Sequence, residues 1–289
     1  MENIILEKPN NIQSRESKVN ISTGIIYVFL IIMSIISFLP FYIMIINSTH
    51  SNDELATKLL LLPGNSLIAN YTRMVQNINI WRGFLNSVII AVSCTVLSGY
   101  FSALTAYGFS KYKFKGNSIL FWFILATMMI PGQLGLVGYF QLVKSLGLLD
   151  TYWPLILPSI ASASSVFWIR QYIDSSVQDS LIESARIDGC GEFMIFNKII
   201  LPLIVPAIAT ISIFTFVGSW NNYLAPLVLI FSQDKFPLPV LVAMMKGYYS
   251  NDYGAMYLGV AISVVPIMIA FFFFSKHIVG GLTVGSIKG

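Results

Sequence analysis

The chain has 289 residues, of which 56% are hydrophobic and only 10% charged, with a net charge of +4 and a mean hydropathy of +0.75. An ordinary soluble domain carries about 25% charged residues, so this composition excludes one and predicts an all-α polytopic membrane protein. The small positive balance follows from how Lys and Arg sort across a membrane, and no nucleic-acid partner is needed to explain it.

Runs free of Asp, Glu, Lys and Arg cover 19–52, 83–110, 116–143, 151–169, 199–233 and 253–275. Each is at or near the ~20 residues that a helix needs to cross the hydrocarbon layer. The runs are continuous rather than alternating, so six transmembrane helices are expected and a barrel is not. With the N-terminus inside, eleven of the seventeen Lys and Arg residues fall on the inner side, among them Lys111, Lys113, Lys115, Arg170 and Arg186, and six on the outer side. That excess favours an N-in/C-in arrangement.

Residues 1–22 are polar and rich in Asn and Ser, as in a disordered tail preceding a six-helix domain over 23–289. The first apolar run is too long for a signal-peptide core, so it is expected to stay as the first span, about 23–47, with Pro40 near its outer end. The outer segment 48–83 has room for one or two short helices, and Asn70, Tyr71, Trp81 and Arg82 read as an interfacial belt. Span two, about 84–108, repeats small residues every fourth position at Cys94, Ser98, Ser102 and Ala106 and at Thr95, Gly99 and Ala103, a pattern for close helix packing within the chain. Span three, about 118–140, is broken by Pro131, Gly132 and Gln133; such a break serves either as a structural kink or as polar backbone on a translocation path. Residues 147–153 form an outer turn, Pro154 and Pro158 open span four, and Arg170 is placed to snorkel at its inner end.

The polar stretch after span four has an ordered spacing: Glu183-Ser184-Ala185, three residues, Gly189, nine residues, then Ile199-x-Leu201-Pro202. It resembles the EAA loop of the permease subunits of bacterial ABC importers, with Ser184 in place of one alanine. The chain is similar to that family from about residue 70 onward, including Ala106 to Lys111 and a terminus, Gly280 to Gly289, like that of the MalG-like sugar permeases. The resemblance implies a type I ABC importer permease fold in the bacterial cytoplasmic (inner) membrane. It implies a second permease subunit, two ATPase subunits and an extracytoplasmic solute-binding protein as partners, with ATP used by those partners and no cofactor in this chain. It also implies that a cytoplasmic loop at about 171–202 docks the ATPase through Glu183, Ser184, Ala185, Arg186, Asp188 and Gly189. Read from the residues themselves, Leu181, Ile182, Ala185 and Gly189 offer a short apolar or small face. Glu183 and Arg186, three apart, can pair with each other or across an interface, and Gly189 is placed to end the helix in a left-handed conformation.

Span five, about 203–230, carries Trp220, Asn221 and Asn222. Adjacent amides in a span must face a cavity or tie helices together; with Gln133 and Trp220 they are the candidate substrate path for a sugar. Span six, about 257–275, is rich in phenylalanine and reads as lipid-facing.

No G-x-x-x-x-G-K-[ST] sequence occurs, so the chain has no P-loop of its own. Its two histidines, His50 and His277, form no acid/base or zinc constellation, and Cys94 and Cys190 make no metal spacing. The chain is therefore read as a transport subunit and not an enzyme: the permease of a carbohydrate importer, with a non-sugar ABC importer as the alternative. A stand-alone secondary transporter is disfavoured because the spans lack ionisable coupling groups, and a purely structural membrane protein has no use for a docking loop.

Overall fold

A computed structural model describes residues 21–246 and 252–283, the last eight of these as backbone. The polar tail, but for its last two residues, and the final six residues of the glycine-rich terminus lie outside the described residues. The chain divides into two compact units, residues 1–43 and 44–289. The first unit is described from the start of helix α1 (Ile21–Asn47), an apolar helix that keeps Pro40 within its length.

The second unit is helical, with no β-strand among the described residues. A capping box of Ser51 and Glu54 starts α2 (Asn52–Thr57), followed by α3 (Leu67–Asn77) and the long α4 (Ile80–Lys111), capped by Asn79. Next come α5 (Asn117–Thr127), α6 (Leu136–Ser145), α7 (Trp153–Ile156), α8 (Ala163–Ser176) and α9 (Asp179–Ile187). The helices α10 (Glu192–Ile195) and α11 (Leu201–Leu203) flank a π-turn at Phe196–Ile200, and α12 (Val205–Trp220), α13 (Leu224–Leu229), α14 (Leu238–Met244) and α15 (Tyr253–Thr283) complete the unit.

Among the described residues, three helices are long and apolar enough to cross a membrane: Thr23–Asn47, Ile80–Lys111 and Tyr253–Ser275. Two bent pairs bring the number to five if each counts as one span. The break expected at Pro131 separates α5 from the segment Gly132–Ser145 at 88°, and Glu192–Leu203 meets α12 at 77°. At this second bend Pro202 and Pro206 lack N–H groups, and Ile204 leaves helical geometry at φ −97°, ψ 7°. The stretch expected as span four differs in form from a single helix. It runs through α7, a 3₁₀ turn at Leu157–Ala161 and then α8, because Pro154 and Pro158 interrupt the ladder and Ser162 is extended.

Helix α4 is the axis of this unit and packs against α8 and α12, while α12 also packs against α15. The small residues predicted for close packing do that: Cys94, Ser98, Gly99, Ser102, Ala103 and Ala106 are buried, and a Cβ at Gly99 would lie 3.2 Å from Ile208. At the end of α4 that carries Lys111, Ala103, Ala106 and Tyr107 join Ile173, Ile182, Ala185, Phe196 and Ile200 in one apolar cluster. At the other end Ile80 and Ala91 join Met74, Trp220, Leu238, Leu241 and Ala255.

Two polar residues, Asn70 and Arg170, sit differently from the sequence expectation. Asn70 is fully buried rather than interfacial: its amide donates to the carbonyls of Ser48 (2.7 Å) and His50 (2.9 Å) and accepts from Arg73. Trp81 does meet Tyr71, its indole N–H donating to the hydroxyl at 3.2 Å. Arg170 does not snorkel freely; its guanidinium lies 3.9 Å from the centroid of the Phe121 ring, and its nearest carboxylate is Asp174 at 3.6 Å. Asp150, not singled out in the sequence, holds φ 59° and fastens the 147–153 turn to residues 231–235. It accepts from the N–H groups of Phe231 (3.0 Å) and Ser232 (2.9 Å) and from Lys235 Nζ (2.9 Å). The Ser232 hydroxyl and these donors hold its carboxyl well below the usual carboxylate range.

Candidate functional site

The 179–202 stretch is built as a helix, a tight reversal and a second helix. Helix α9 starts with Asp179 in its first turn and ends at Ile187, with Asp188 at the C-cap and Gly189 at φ +82°. Gly189 N–H donates to Arg186 O and Cys190 N–H donates to Ala185 O, each at 3.0 Å. Those two bonds form a Schellman motif, which needs a left-handed residue after the cap and so selects glycine. A Cβ at Gly189 would meet nothing within 4 Å, so the backbone conformation, and not a shortage of space, favours glycine there.

The apolar face of α9 is split between inside and outside. Ile182 and Ala185 are buried against the chain's own core, at 3% and 6% exposure, and are therefore not a free face for a partner. Glu183, Ser184, Arg186, Asp188 and Gly189 are exposed. Leu181, named in the sequence, is 40% exposed, and Ile187 and Phe193, which the sequence did not single out, are more exposed still, at 87% and 70%. The signal was present: Ile187 lies five positions from Ile182 and two from Ala185, off the inward stripe.

Arg186 pairs with Glu192 and not with Glu183. Its Nε donates to Glu192 Oε1 at 2.7 Å across the Gly189 turn, and its guanidinium carbon is 5.8 Å from the Tyr112 ring centroid. The Tyr112 hydroxyl donates to the same carboxylate. The Glu192 partner raises the Arg186 pKa, and burial together with the Glu192 contact raises that of Tyr112. The start of α9 is held as well: Lys111 Nζ donates to Asp179 Oδ1 and to Val177 O, each at 2.7 Å. That contact keeps the Asp179 carboxyl below the ordinary carboxylate range.

A cavity of about 670 Å³ lies among α4, α8, α12 and the 3₁₀ turn before α8. It is lined by Ser159, Ser162, Ser164, Ser165, Thr210, Thr215 and Ser219, by Trp168, Tyr172 and Phe214, and by Cys94, Leu155, Ala207, Ile211 and Gly218, and most of the lining surface is apolar. The hydroxyls of Ser159, Thr210 and Thr215 donate to the carbonyls of Ile156, Pro206 and Ile211. No Asp, Glu, Lys, Arg or His is among the lining residues. Such a wall offers hydrogen bonds and flat apolar faces without fixed charge.

Of the residues picked from the sequence as a path, only Asn222 lines this cavity. Its side-chain oxygen accepts from Ala225 N–H, in the first turn of α13, at 3.4 Å. Trp220 belongs to the core: it is 1% exposed, its indole N–H donates to Ser263 O at 2.9 Å, and its ring stacks on Phe216 at 5.7 Å. Asn221 and Gln133 are exposed away from the cavity lining, Gln133 in the 3₁₀ turn at Gly132–Gly135. The serines were legible in the run Ser159-Ile160-Ala161-Ser162-Ala163-Ser164-Ser165, whose density of hydroxyls is high for a membrane segment.

Comparison with known proteins places this architecture. Residues 95–284 match the family described as "Binding-protein-dependent transport system inner membrane component". The chain is 36% identical over 265 residues to the arabinooligosaccharides transport system permease protein AraQ of Bacillus subtilis (strain 168), covering 90% of this chain and 94% of that one. It is 34% identical to the polygalacturonan/rhamnogalacturonan transport system permease protein YtcP of the same organism, over 92% of this chain and 97% of that one. Among solved structures, a chain of a bacterial ABC transporter involved in the import of the acidic polysaccharide alginate superposes with a TM-score of 0.76 at 24% identity. That match covers 90% of this chain and 98% of that one.

Proposed function

Because the chain belongs to the family of binding-protein-dependent transport system inner membrane components, we propose that it forms, with a second permease, the path of a neutral oligosaccharide through the cytoplasmic membrane. The observation that carries the sugar assignment is the uncharged, mostly apolar cavity, whose lining includes seven serine and threonine residues and the aromatic residues Trp168, Tyr172 and Phe214. Hydroxyls exchange hydrogen bonds with a sugar as it sheds water, and an aromatic ring covers the apolar face of a pyranose. The absence of a fixed cation among the lining residues favours a neutral saccharide over a uronate polymer.

In this reading the chain crosses the membrane six times with both termini inside. The segment 153–176 supplies the interrupted fourth span, and each bent pair supplies one more. The excess of Lys and Arg on the Lys111 side supports that orientation. The loop at 179–202 then faces the cytoplasm and receives one of two ATPase subunits through Glu183, Asp188, Ile187 and Phe193, with the Arg186 aliphatic stem beside them. Ser184 and Gly189 complete that surface, and Ala185 supports it from beneath. A solute-binding protein delivers the sugar at the opposite face.

The chain carries no P-loop, so ATP acts on the spans only through contacts that differ between the ATPase's two states. The sugar assignment is tested by deleting the gene and measuring uptake of radiolabelled neutral and acidic oligosaccharides by the cells. Loss of uptake of a neutral oligosaccharide, restored by the gene in trans, is expected; unchanged uptake of every saccharide tested would overturn it.

A further inference from the structure

Three consecutive residues at the end of α4 hold four points of the segment 174–192. The Ser110 hydroxyl donates to Asp174, Lys111 Nζ to Asp179 and the Val177 carbonyl, and the Tyr112 hydroxyl to Glu192. Glu192 in turn holds Arg186, so both ends of α9 are bound to the same terminus of one helix. Lys111 is only 9% exposed although Asp179 is 77% exposed, so the lysine is the fixed member of the pair and the loop closes onto it. Beneath these bonds Ile182 and Ala185 pack with Ala103, Ala106 and Tyr107 of α4. Tyr112 also sets its ring edge-on to Tyr107 at 5.5 Å.

Helix α4 has 32 residues, about 48 Å at the α-helical rise. Along that length it packs against α8 and α12 and places Cys94 in the cavity wall. A displacement of α9 therefore moves the end of α4 or breaks this set of bonds.

Resting on the docking reading above, we propose that Lys111 and Tyr112 are positioning residues that clamp the docking helix to α4, so that ATPase motion reaches the cavity through α4. They touch neither solute nor ATPase; they act through Asp179 and through the Glu192–Arg186 pair. Cutting the clamp leaves Asp179 in solvent and buries no unpaired carboxylate, so the helix stays folded on its Ile182 and Ala185 contacts while its link to α4 loosens.

The test uses the complete transporter in proteoliposomes, comparing wild type with Lys111→Met, Tyr112→Phe and the double variant. Solute moved per ATP hydrolysed and the ATPase content of the purified complex are both measured. The double variant is expected to keep its ATPase content and to move about fivefold less solute per ATP, the lower end of typical couplings between sites. Lys111→Arg, which keeps the cation, is expected to restore the ratio. An unchanged ratio at full ATPase content would overturn the proposal. Loss of the ATPase from the double variant would also overturn it, by making these contacts part of the dock. If the double variant does not accumulate in the membrane, Tyr112→Phe, which removes one hydroxyl, carries the same two outcomes. Failure of the docking reading itself shows separately, as an ATPase that cannot be cross-linked to the exposed Ile187.

Discussion

The N–H of Cys190 donates to the carbonyl of Ala185 at 3.0 Å and closes the end of α9 around Gly189, whose φ is +82°. A residue with a Cβ in that region costs roughly 1–2 kcal/mol, and a β-branched one more. Gly189→Val is therefore expected to shift the loop out of its native reversal by about tenfold or more. Uptake should fall while the amount of permease in the membrane stays normal. Asn tolerates the left-handed region, and no atom lies within 4 Å of a Cβ there, so Gly189→Asn is expected to retain most uptake. Wild-type uptake by the valine variant would show that this reversal does not matter for transport.

A bulky side chain at Gly218 tests the cavity. A Cβ there meets nothing within 4 Å, and the residue faces the cavity from α12. Gly218→Trp is expected to obstruct the space without disturbing the packing around Trp220. Uptake should be lost in complexes that retain both permeases and their ATPase content. Asn222→Ala should change the apparent affinity for solute. Trp220→Ala should instead lower the thermal stability of the detergent-purified protein, since emptying a buried aromatic site costs about 3–5 kcal/mol. Undiminished uptake by Gly218→Trp would place the solute elsewhere.

The 48–66 segment carries a pH dependence whose sign follows from its contacts. His50 Nε2 faces the Leu62 carbonyl at 2.8 Å and Nδ1 faces the Glu54 carboxylate at 2.9 Å. Both partners accept, so the doubly protonated ring satisfies both. The Leu62 carbonyl first, and Glu54 next, raise the His50 pKa above its ordinary 6.5. A raised folded-state pKa gives stabilisation that is fully present below the ordinary value and is lost as pH rises through the raised one. Amide protection of residues 49–66 should therefore fall on going from pH 6 to pH 8.5 after correction for intrinsic exchange. His50→Gln should flatten that dependence. Equal protection at both pH values in the wild type would refute it.

The membrane class, the break at Pro131 and the helix end at Gly189 were legible in the sequence. Each has a local cause: hydropathy, a missing N–H or a required left-handed residue. The two fastenings at Asn70 and Asp150 were not, because their partners lie 20 or more and about 80 positions away. Arg186 illustrates the same limit. Helical spacing offered Glu183 as its partner, but the Gly189 reversal brings Glu192 closer, and only the fold of the turn decides between them. Trp220 and Asn222, two positions apart, ended in different environments: the turn after Trp220 sends one ring into the core and leaves the amide at the cavity. The inward orientation of Ala185 and the outward one of Ile187 required the position of α9 on the core, which depends on Lys111 and Tyr112 of a distant helix.

If a separate ATPase drives this permease through the exposed face of α9, the two proteins touch at Ile187. A photo-cross-linking residue in place of Ile187, which is 87% exposed, tests it within the assembled transporter, with Phe214, 67% exposed on α12, as the control position. An adduct between the permease and the ATPase subunit is expected from position 187, changing in yield when ATP is bound, and no ATPase adduct from position 214. A complex that transports normally but yields no ATPase adduct at 187 in either nucleotide state would contradict it.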